Sequence, residues 1–225
     1  MIKKILWVFS NQDDSEEASL ETIFDIEEFI TSYYSLHDKG FSVTIASPKG
    51  GELAFAAQSF YPVNISATME RLKNDADTKF KLTHSLQIEN LKETDFDALF
   101  YPGGHETLRD LATDKSSIHL IEAFYRNNKP IAFVGQACAA LQFAKNTLGE
   151  PLVKGKKVTG FSNEEQRNIG TKTVPFSVED MLIENGAVYS KLTSGQAYAI
   201  DEGNLITGQN AASALLVVKK LIELL

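Results

Sequence analysis

The sequence predicts an α/β fold in which a mostly parallel sheet is covered by helices on both faces. Short runs of β-branched and aromatic residues recur along the chain, and most segments between them carry apolar residues at helical spacing. With 225 residues and 43% hydrophobic composition, the chain is long enough to bury a large core as one domain, residues 1–225. The predicted strands are Ile2–Ser10, Phe41–Ser47, Ala98–Tyr101, Ile131–Val134 and Lys157–Phe161.

The helices are predicted from apolar stripes and end signals. The first runs from about Thr22 to Lys39 and stops at Gly40. Its stripe comprises Ile26, Phe29, Ile30, Tyr33 and His37. Three further helices are expected over Asp114–Asn128, from the N-cap Ser177 to Gly186, and over Ala211–Leu225.

Two regions give a weaker pattern. Tyr189–Leu192 and Tyr198–Ile206 are expected to be short strands or a hairpin. Residues 52–94 are long and polar, with one helix expected near Ala67–Asn74. We expect this segment to be an insertion that forms part of a lid or an interface.

Composition and charge exclude several classes of function. The 22 basic and 30 acidic residues give a formal charge of −8, and no Lys/Arg run is longer than two residues, so nucleic acid is not an expected partner. The longest apolar segment, Ile131–Ala144, is too short to span a bilayer, and the N-terminal apolar run is too short for a signal peptide. The single cysteine, Cys138, cannot close an intramolecular disulfide. These observations predict a cytoplasmic protein that does not bind membranes.

Two loops after predicted strands could carry chemistry. Gly103 and Gly104 follow a strand directly, where backbone N–H groups can turn toward an anion or a carbonyl oxygen, although such a pair also forms plain turns. His105 beside them is either a base or a solvated loop residue. Cys138 follows the strand Ile131–Val134 on a turn of the kind that exposes nucleophiles. The alternative, which we favour, is that Cys138 is a small buried core residue.

The remaining polar residues give little independent signal. All four histidines precede Cys138, so a downstream Cys-His dyad is excluded. Periodicity places Glu28 away from the apolar stripe, as a solvated residue. One cysteine and four scattered histidines give no metal-ligand spacing, and no phosphate-binding glycine motif follows a strand, so neither a metal nor a cofactor is predicted.

Several segments in combination resemble the ThiJ/PfpI superfamily, in particular its branch of heat-shock chaperones and glutathione-independent glyoxalases. They are "DIEEFITSYYSLHDKGFSVTIASPKGG", "FYPGGHETLRDL", "KPIAFVGQACAAL", "LGEPLVKGKKVTGFSNEEQ", "TVPFSVEDMLIENGAVY" and "LITGQNAASA". The resemblance implies a class I glutamine amidotransferase-like fold, a flavodoxin-like three-layer sandwich, and a homodimer.

The resemblance also indicates which positions would be catalytic. In that branch the catalytic cysteine and histidine lie on a tight turn between a strand and a helix, called the elbow here. The elbow sequence is approximately Val-Cys-His-Gly-Pro-Ala-Ala-Leu, and it aligns without gaps with residues 134–141. Gly135 then stands at the nucleophile position and Gln136 at the histidine position, while Cys138 takes the proline position. Gln166 replaces the glutamate that orients the histidine, and Glu106 replaces a small residue after the Gly-Gly-His loop. An elbow forces a positive φ, which glycine adopts without steric cost.

Two functions follow from this resemblance. The first is a catalytically degenerate member that binds a small carbonyl or amide-like metabolite, or that serves as a stress-related or chaperone-type protein. Its expected pocket comprises Glu28, Gly103, Gly104, His105, Gly135, Gln136 and Gln166. The alternative is an active glyoxalase, deglycase or hydratase-like enzyme that uses Cys138 with Glu28.

Overall fold

The computed structural model describes residues 2–11, 20–53, 66–168 and 174–225, with the backbone alone for residues 20–26 and 105–106. Its strands are β1 (Lys4–Val8), β2 (Ser42–Ser47), β3 (Leu86–Gln87), β4 (Ala98–Tyr101), β5 (Ile131–Val134), β6 (Lys157–Val158), β7 (Val188–Tyr189), β8 (Ala199–Glu202) and β9 (Leu205–Gly208). Seven of them form the central sheet in the order β3-β2-β1-β4-β5-β9-β8. All neighbours in this sheet are parallel except the β8–β9 hairpin, whereas β6 and β7 pair separately.

Helices cover both faces of this sheet. They are α1 (Leu20–His37), α2 (Ala67–Asn74), α3 (Ala76–Thr83), α4 (Lys115–Arg126), α5 (Asn163–Asn168), α6 (Val178–Glu184) and α7 (Ala214–Glu223). Buried residues of α1, α2, α3 and α7 pack in one core cluster, and those of α4 and α6 pack in the other. The predicted α/β fold class, a flavodoxin-like sandwich with a mostly parallel sheet, is confirmed. None of the described helices is both long and apolar enough to cross a membrane.

The strands supply both cores because their side chains alternate between the two faces. In β1, Ile5 and Trp7 belong to one cluster, while Leu6 and Val8 belong to the other. The Trp7 ring lies 4.6 Å from the ring centroid of Phe100 on the neighbouring strand β4. A strand buried on both faces is apolar throughout, which is why β4 and β5 could be predicted residue for residue.

Several predicted elements differ in the structure. Of the strand predicted over Tyr189–Leu192, only Tyr189 is extended, in β7. Only Lys157–Val158 of the predicted strand Lys157–Phe161 is extended, and it pairs with β7 outside the central sheet. The backbone beyond it is bonded elsewhere, since Thr159 N–H donates to Thr207 Oγ1 (3.0 Å) and Phe161 N–H to the Gly135 carbonyl (3.3 Å). The α1 stripe is also corrected at its end, because Leu36 is buried and His37 is exposed.

The segment 52–94 contributes to the main fold in its described part. The helix Ala67–Asn74 has the predicted bounds, and it is capped by the Ser66 hydroxyl, which accepts from Met69 N–H. The following helix α3 was not predicted, and β3 adds to the edge of the central sheet beside β2. Residues 54–65 lie outside the described residues, so the role of this segment as a lid stays a prediction.

Gly208 is required for the close contact between β9 and α7. A Cβ atom at Gly208 would lie 2.6 Å from Val217 Cγ2 and 3.0 Å from Ser213 Cβ. We predict that Gly208→Ala lowers the free energy of unfolding by about 1–3 kcal/mol, the range for overpacking a core. Urea denaturation measures this.

The matched control for this prediction is the double variant Gly208→Ala/Val217→Ala. Removing the Val217 methyl groups relieves the overlap, so the two substitutions together should cost less than the sum of their single effects. Additive costs would contradict the steric explanation.

Candidate functional site

The candidate site lies at the carboxyl edge of the parallel strands. In open α/β sheets this edge is where the loops that bind ligands meet. β4 leads into Gly103 and Gly104, β5 leads into Gly135, and β9 leads into Gln209 and Asn210. Three neighbouring strands, β4, β5 and β9, therefore deliver these loops side by side.

The turn after β5 has the backbone of an elbow. Gly135 has a φ of +58°, in the left-handed region that residues with a side chain rarely adopt. A Cβ atom at this position would lie 3.5 Å from Asn210 Cα and 3.8 Å from the Gln209 carbonyl oxygen, which is ordinary contact. The position therefore has space for a side chain, and the backbone conformation is what favours glycine.

The turn opens a 3₁₀ helix, Gly135–Leu141. All seven of its residues are buried. In a 3₁₀ helix residues three apart lie above one another, so Cys138 is on the same side as Gly135. The segment from Thr159 to Phe161 covers this side of the helix.

Cys138 is enclosed by that segment. The exposed fraction of Cys138 is 0%, and its Sγ lies 3.6 Å from the Thr159 carbonyl oxygen. A Cβ atom added at Gly160 would lie 3.2 Å from the Cβ of Cys138. Burial raises the pKa of the Cys138 thiol far above its ordinary value. The structure thus gives Cys138 the packing of a small core residue with a protonated thiol.

The Gly103–Gly104 loop contacts both α1 and the end of β5. The two glycines have φ values of +121° and +111°. A Cβ atom at Gly103 would lie 2.7 Å from Phe29 Cζ and 3.2 Å from the Val134 carbonyl oxygen. Only glycine allows this approach, which brings the loop against the Phe29 turn of α1 and the residue before the elbow.

Glu28 precedes Phe29 on α1 and is half-buried, not fully solvated as periodicity alone suggested. Its pKa is raised, first by burial and second by the nearby charge of Glu27. Such a carboxyl group keeps its proton to a higher pH than an ordinary glutamate does. The side chain of His105, the other expected pocket residue in this region, lies outside the described side chains.

The two glutamines predicted for the pocket are both shielded from solvent. Gln136 is 8% exposed. Gln166 is half-buried, and its Nε2 atom is buried without a hydrogen-bond partner among the described residues. A buried N–H donor without an acceptor is costly, so Gln166 offers a donor that a ligand oxygen could satisfy.

The residue before Gln166 is the centre of a buried polar network that the sequence analysis missed. Glu165 is 4% exposed. Its Oε2 accepts from Ser162 N–H (3.0 Å) and Ser162 Oγ (2.8 Å). Its Oε1 accepts from Gln209 Nε2 (3.0 Å), Asn210 Nδ2 (2.7 Å) and Gly195 N–H (3.2 Å).

The local part of this network, between Ser162 and Glu165, could have been predicted from the sequence. Ser162-Asn-Glu-Glu165 has the spacing of a capping box, and Ser162 Oγ accepts from Glu165 N–H (3.1 Å) as that motif requires. The amides of Gln209 and Asn210 come from 44 and 45 residues further along the chain. No local pattern relates them to Glu165.

The geometry does not assemble a metal centre from the described residues. In that part of the chain, no group of three or more His, Cys, Asp or Glu side chains is placed to hold a metal ion. The polar groups gathered near the elbow are amides, hydroxyls and carboxyl groups, which suit hydrogen bonding to a small organic molecule.

A tight turn after a central strand, facing a glycine loop at the carboxyl edge of a flavodoxin-like sheet, defines a class of α/β proteins with an elbow site. Residues 20–224 match the model of the DJ-1/PfpI family, and the chain belongs to that family.

Named relatives cover most of the chain at low identity. "Glutamine amidotransferase-like class 1 domain-containing protein 1" of Homo sapiens is 27% identical over 192 residues, which are 85% of this chain and 84% of that protein. "Glyoxalase 3" of Candida albicans is 22% identical and covers 99% of this chain and 98% of its own length.

Solved structures share this fold over nearly the whole chain. The Rapid Encystment Protein 24 KDa of Francisella tularensis has a TM-score of 0.87 at 29% identity, with 99% of this chain and 98% of that chain covered. Glyoxalase III from Candida albicans has a TM-score of 0.80 at 20% identity, over 98% of this chain and 96% of that chain, which shows the shared fold.

The burial of Cys138 leads to a pH-dependent prediction. The native thiol keeps its proton while the unfolded thiol loses it above about pH 8.5, so rising pH favours the unfolded state. Below about pH 8.5 the thiol keeps its proton in both states, so Cys138 causes no pH-dependent loss of stability there. One unit above it, the wild type should have lost about 1.4 kcal/mol that Cys138→Ala does not lose.

Urea denaturation at about pH 7.5, 8.5 and 9.5 measures the difference. Iodoacetamide labelling followed by intact-mass analysis is the companion measurement, and it should modify Cys138 only after unfolding. Rapid labelling of the native protein at neutral pH, or equal pH dependence of the two proteins, would contradict the buried thiol.

Proposed function

We propose that this chain is a catalytically degenerate member of the DJ-1/PfpI family that binds a small uncharged metabolite through a carbonyl or amide group. The observation that carries the proposal is the elbow itself. Its backbone has the left-handed turn at Gly135, but the residue at the turn has no side chain that could act as a nucleophile.

The groups around the elbow support binding of a neutral ligand. Gln166 offers a buried N–H donor, Gln136 is nearly enclosed, and Glu28 has a raised pKa. The Gly103–Gly104 loop can present backbone N–H groups, since its glycines allow close approach. Amide N–H donors of this kind are suited to a carbonyl oxygen.

An active enzyme of the glyoxalase type is the alternative. The printed names of relatives such as "Glyoxalase 3" favour it, at 22% identity. It would need Cys138 as nucleophile with Glu28 as its acid partner. The enclosure of Cys138 and its raised thiol pKa oppose this, because the thiolate is the reactive form.

Two further parts of the proposal, a homodimeric assembly and a stress-related or chaperone-type role, rest on the family resemblance alone. A cytoplasmic location is also proposed, and it rests on the sequence composition. No cofactor is included in the proposal.

Turnover of methylglyoxal tests the degenerate function directly. We expect the wild type to consume methylglyoxal no faster than a heat-inactivated sample of the same preparation. Disappearance of methylglyoxal and formation of lactate are followed together. A rate that survives repurification and is lost in Cys138→Ala would overturn the proposal and favour the enzyme alternative.

A variant with the family's residues restored is the positive control. Gly135→Cys/Gln136→His/Gln166→Glu places a thiol, an imidazole and a carboxyl group at the three family positions. The space for a Cβ at residue 135 makes this variant feasible, at a backbone cost of about 1–3 kcal/mol for a side chain at positive φ. Turnover by this variant alone would support the loss of chemistry in the wild type.

Binding is tested with two unreactive probes, hydroxyacetone and lactamide, by ligand-observed NMR. Gln166→Leu removes the buried donor at similar volume and should weaken binding at least about fivefold, the effect of one hydrogen bond to a buried group. Gln87→Leu on the edge strand β3 is the matched control and should leave binding unchanged. Equal affinities for all three proteins would contradict the pocket.

A further inference from the structure

Glu165 joins three segments that are far apart in the sequence. Its carboxylate accepts hydrogen bonds from the α5 cap at Ser162, from the loop at Gly195, and from Gln209 and Asn210 after β9. The five hydrogen bonds that the carboxylate accepts from described residues all come from neutral donors. A buried carboxylate with neutral partners is tolerated only when such bonds fill its acceptor sites.

Asn210 connects this network to the elbow. Its Cα would contact a Cβ at Gly135 at 3.5 Å. Its side chain is fixed from several directions, because Nδ2 donates to Glu165 Oε1 (2.7 Å) and the Gln196 carbonyl (2.9 Å), while Oδ1 accepts from Ser213 Oγ (2.8 Å). The position of Asn210 against the elbow therefore depends on the acceptor that Glu165 supplies.

The loop 192–196 depends on the same network. None of its residues is buried, so apolar packing does not hold it in place. Gln209 bonds both backbone groups of Leu192, with Oε1 accepting from N–H (2.8 Å) and Nε2 donating to the carbonyl (3.2 Å). Glu165 accepts from Gly195 N–H, and Asn210 donates to the Gln196 carbonyl. Asn168 Nδ2 of α5 adds a further bond to Ser194 Oγ (2.9 Å).

We propose that Glu165 is a positioning residue, which fixes Asn210 against the elbow and couples the loop 192–196 to the ligand pocket. That the elbow belongs to a ligand pocket rests on the proposed function, but the coupling between the three segments does not. Glu165→Gln keeps the shape of the side chain and turns one acceptor into an N–H₂ group. That group would face other donors, so the substitution breaks the network without creating a cavity.

Hydrogen exchange measured by mass spectrometry tests the coupling without any ligand. In Glu165→Gln, amides of residues 192–196 and 209–213 should exchange at least about tenfold faster than in the wild type, as expected when buried hydrogen bonds are lost. Glu150→Gln is the matched control, because the partners of this exposed carboxylate, Lys154 and Asn146, lie outside the three segments. It removes an exposed ion pair with Lys154 (2.6 Å), which contributes little.

Exchange that is unchanged in Glu165→Gln, or that rises equally in all segments, would overturn the proposal. A uniform rise would mean that Glu165 only adds to global stability.

The elbow is probed by a thiol introduced as Gly135→Cys, with alkylation by iodoacetamide assigned at peptide level. Combining it with Glu165→Gln should change the alkylation rate of the new thiol at least about threefold and shift its pH midpoint, since Asn210 and a nearby negative charge are both altered. Combining it with Glu150→Gln should do neither. A purely structural Glu165 would lower the melting temperature and leave the thiol's pH profile unchanged, which would contradict a positioning role.

The wild type provides the measurement if Glu165→Gln does not fold. In exchange at increasing low urea concentrations, residues 162–166, 192–196 and 209–213 should open as one cooperative unit. Independent opening of these segments would overturn the coupling. Failure of hydroxyacetone and lactamide to bind would count against the proposed function and leave this result intact.

Discussion

The left-handed turn at Gly135 is the constraint on which the candidate site depends. All parallel strands of the sheet end at the same edge, and β5 changes direction there at a single residue. The turn leads into a tight 3₁₀ helix whose seven residues are all buried. The segment from Thr159 to Phe161 then closes over it, so the only cysteine of the chain is enclosed by the same geometry that forms the elbow.

The elements that were predicted correctly are those in which a run of apolar residues coincides with a fully buried segment. Ala98–Tyr101 and Ile131–Val134 are short apolar runs buried on both faces, and their bounds agree with the prediction. Helix α3 was missed because its sequence, ADTKFKLT, buries only Thr78 and Leu82. Its start signal is the Asp75 side chain, which accepts from Thr78 N–H.

The strand Lys157–Phe161 was predicted wrongly because acceptors outside the strands bond its backbone N–H groups. Lys157–Phe161 has the composition of a strand, but Thr207 Oγ1 and the Gly135 carbonyl take two of its N–H groups. The buried position of Glu165 has a similar origin. The capping box could be read locally, whereas the amides of Gln209 and Asn210 come from a strand end that only the folded sheet brings near.

The electrostatics of the site favour a neutral ligand over an anion. The chain carries a formal charge of −8, and the buried Glu165 carboxylate is solvated by amides and hydroxyls in place of a cation. Through Asn210 that carboxylate lies one side chain away from the elbow. An anion there would meet like charge in a poorly solvated environment, whereas a neutral carbonyl group would add no charge. The same carboxylate would disfavour a thiolate at the elbow, so a catalytic version of this site would need a compensating positive group such as a histidine. The family resemblance places the uncharged Gln136 at the histidine position, which supports the proposal that the elbow binds a ligand without nucleophilic chemistry.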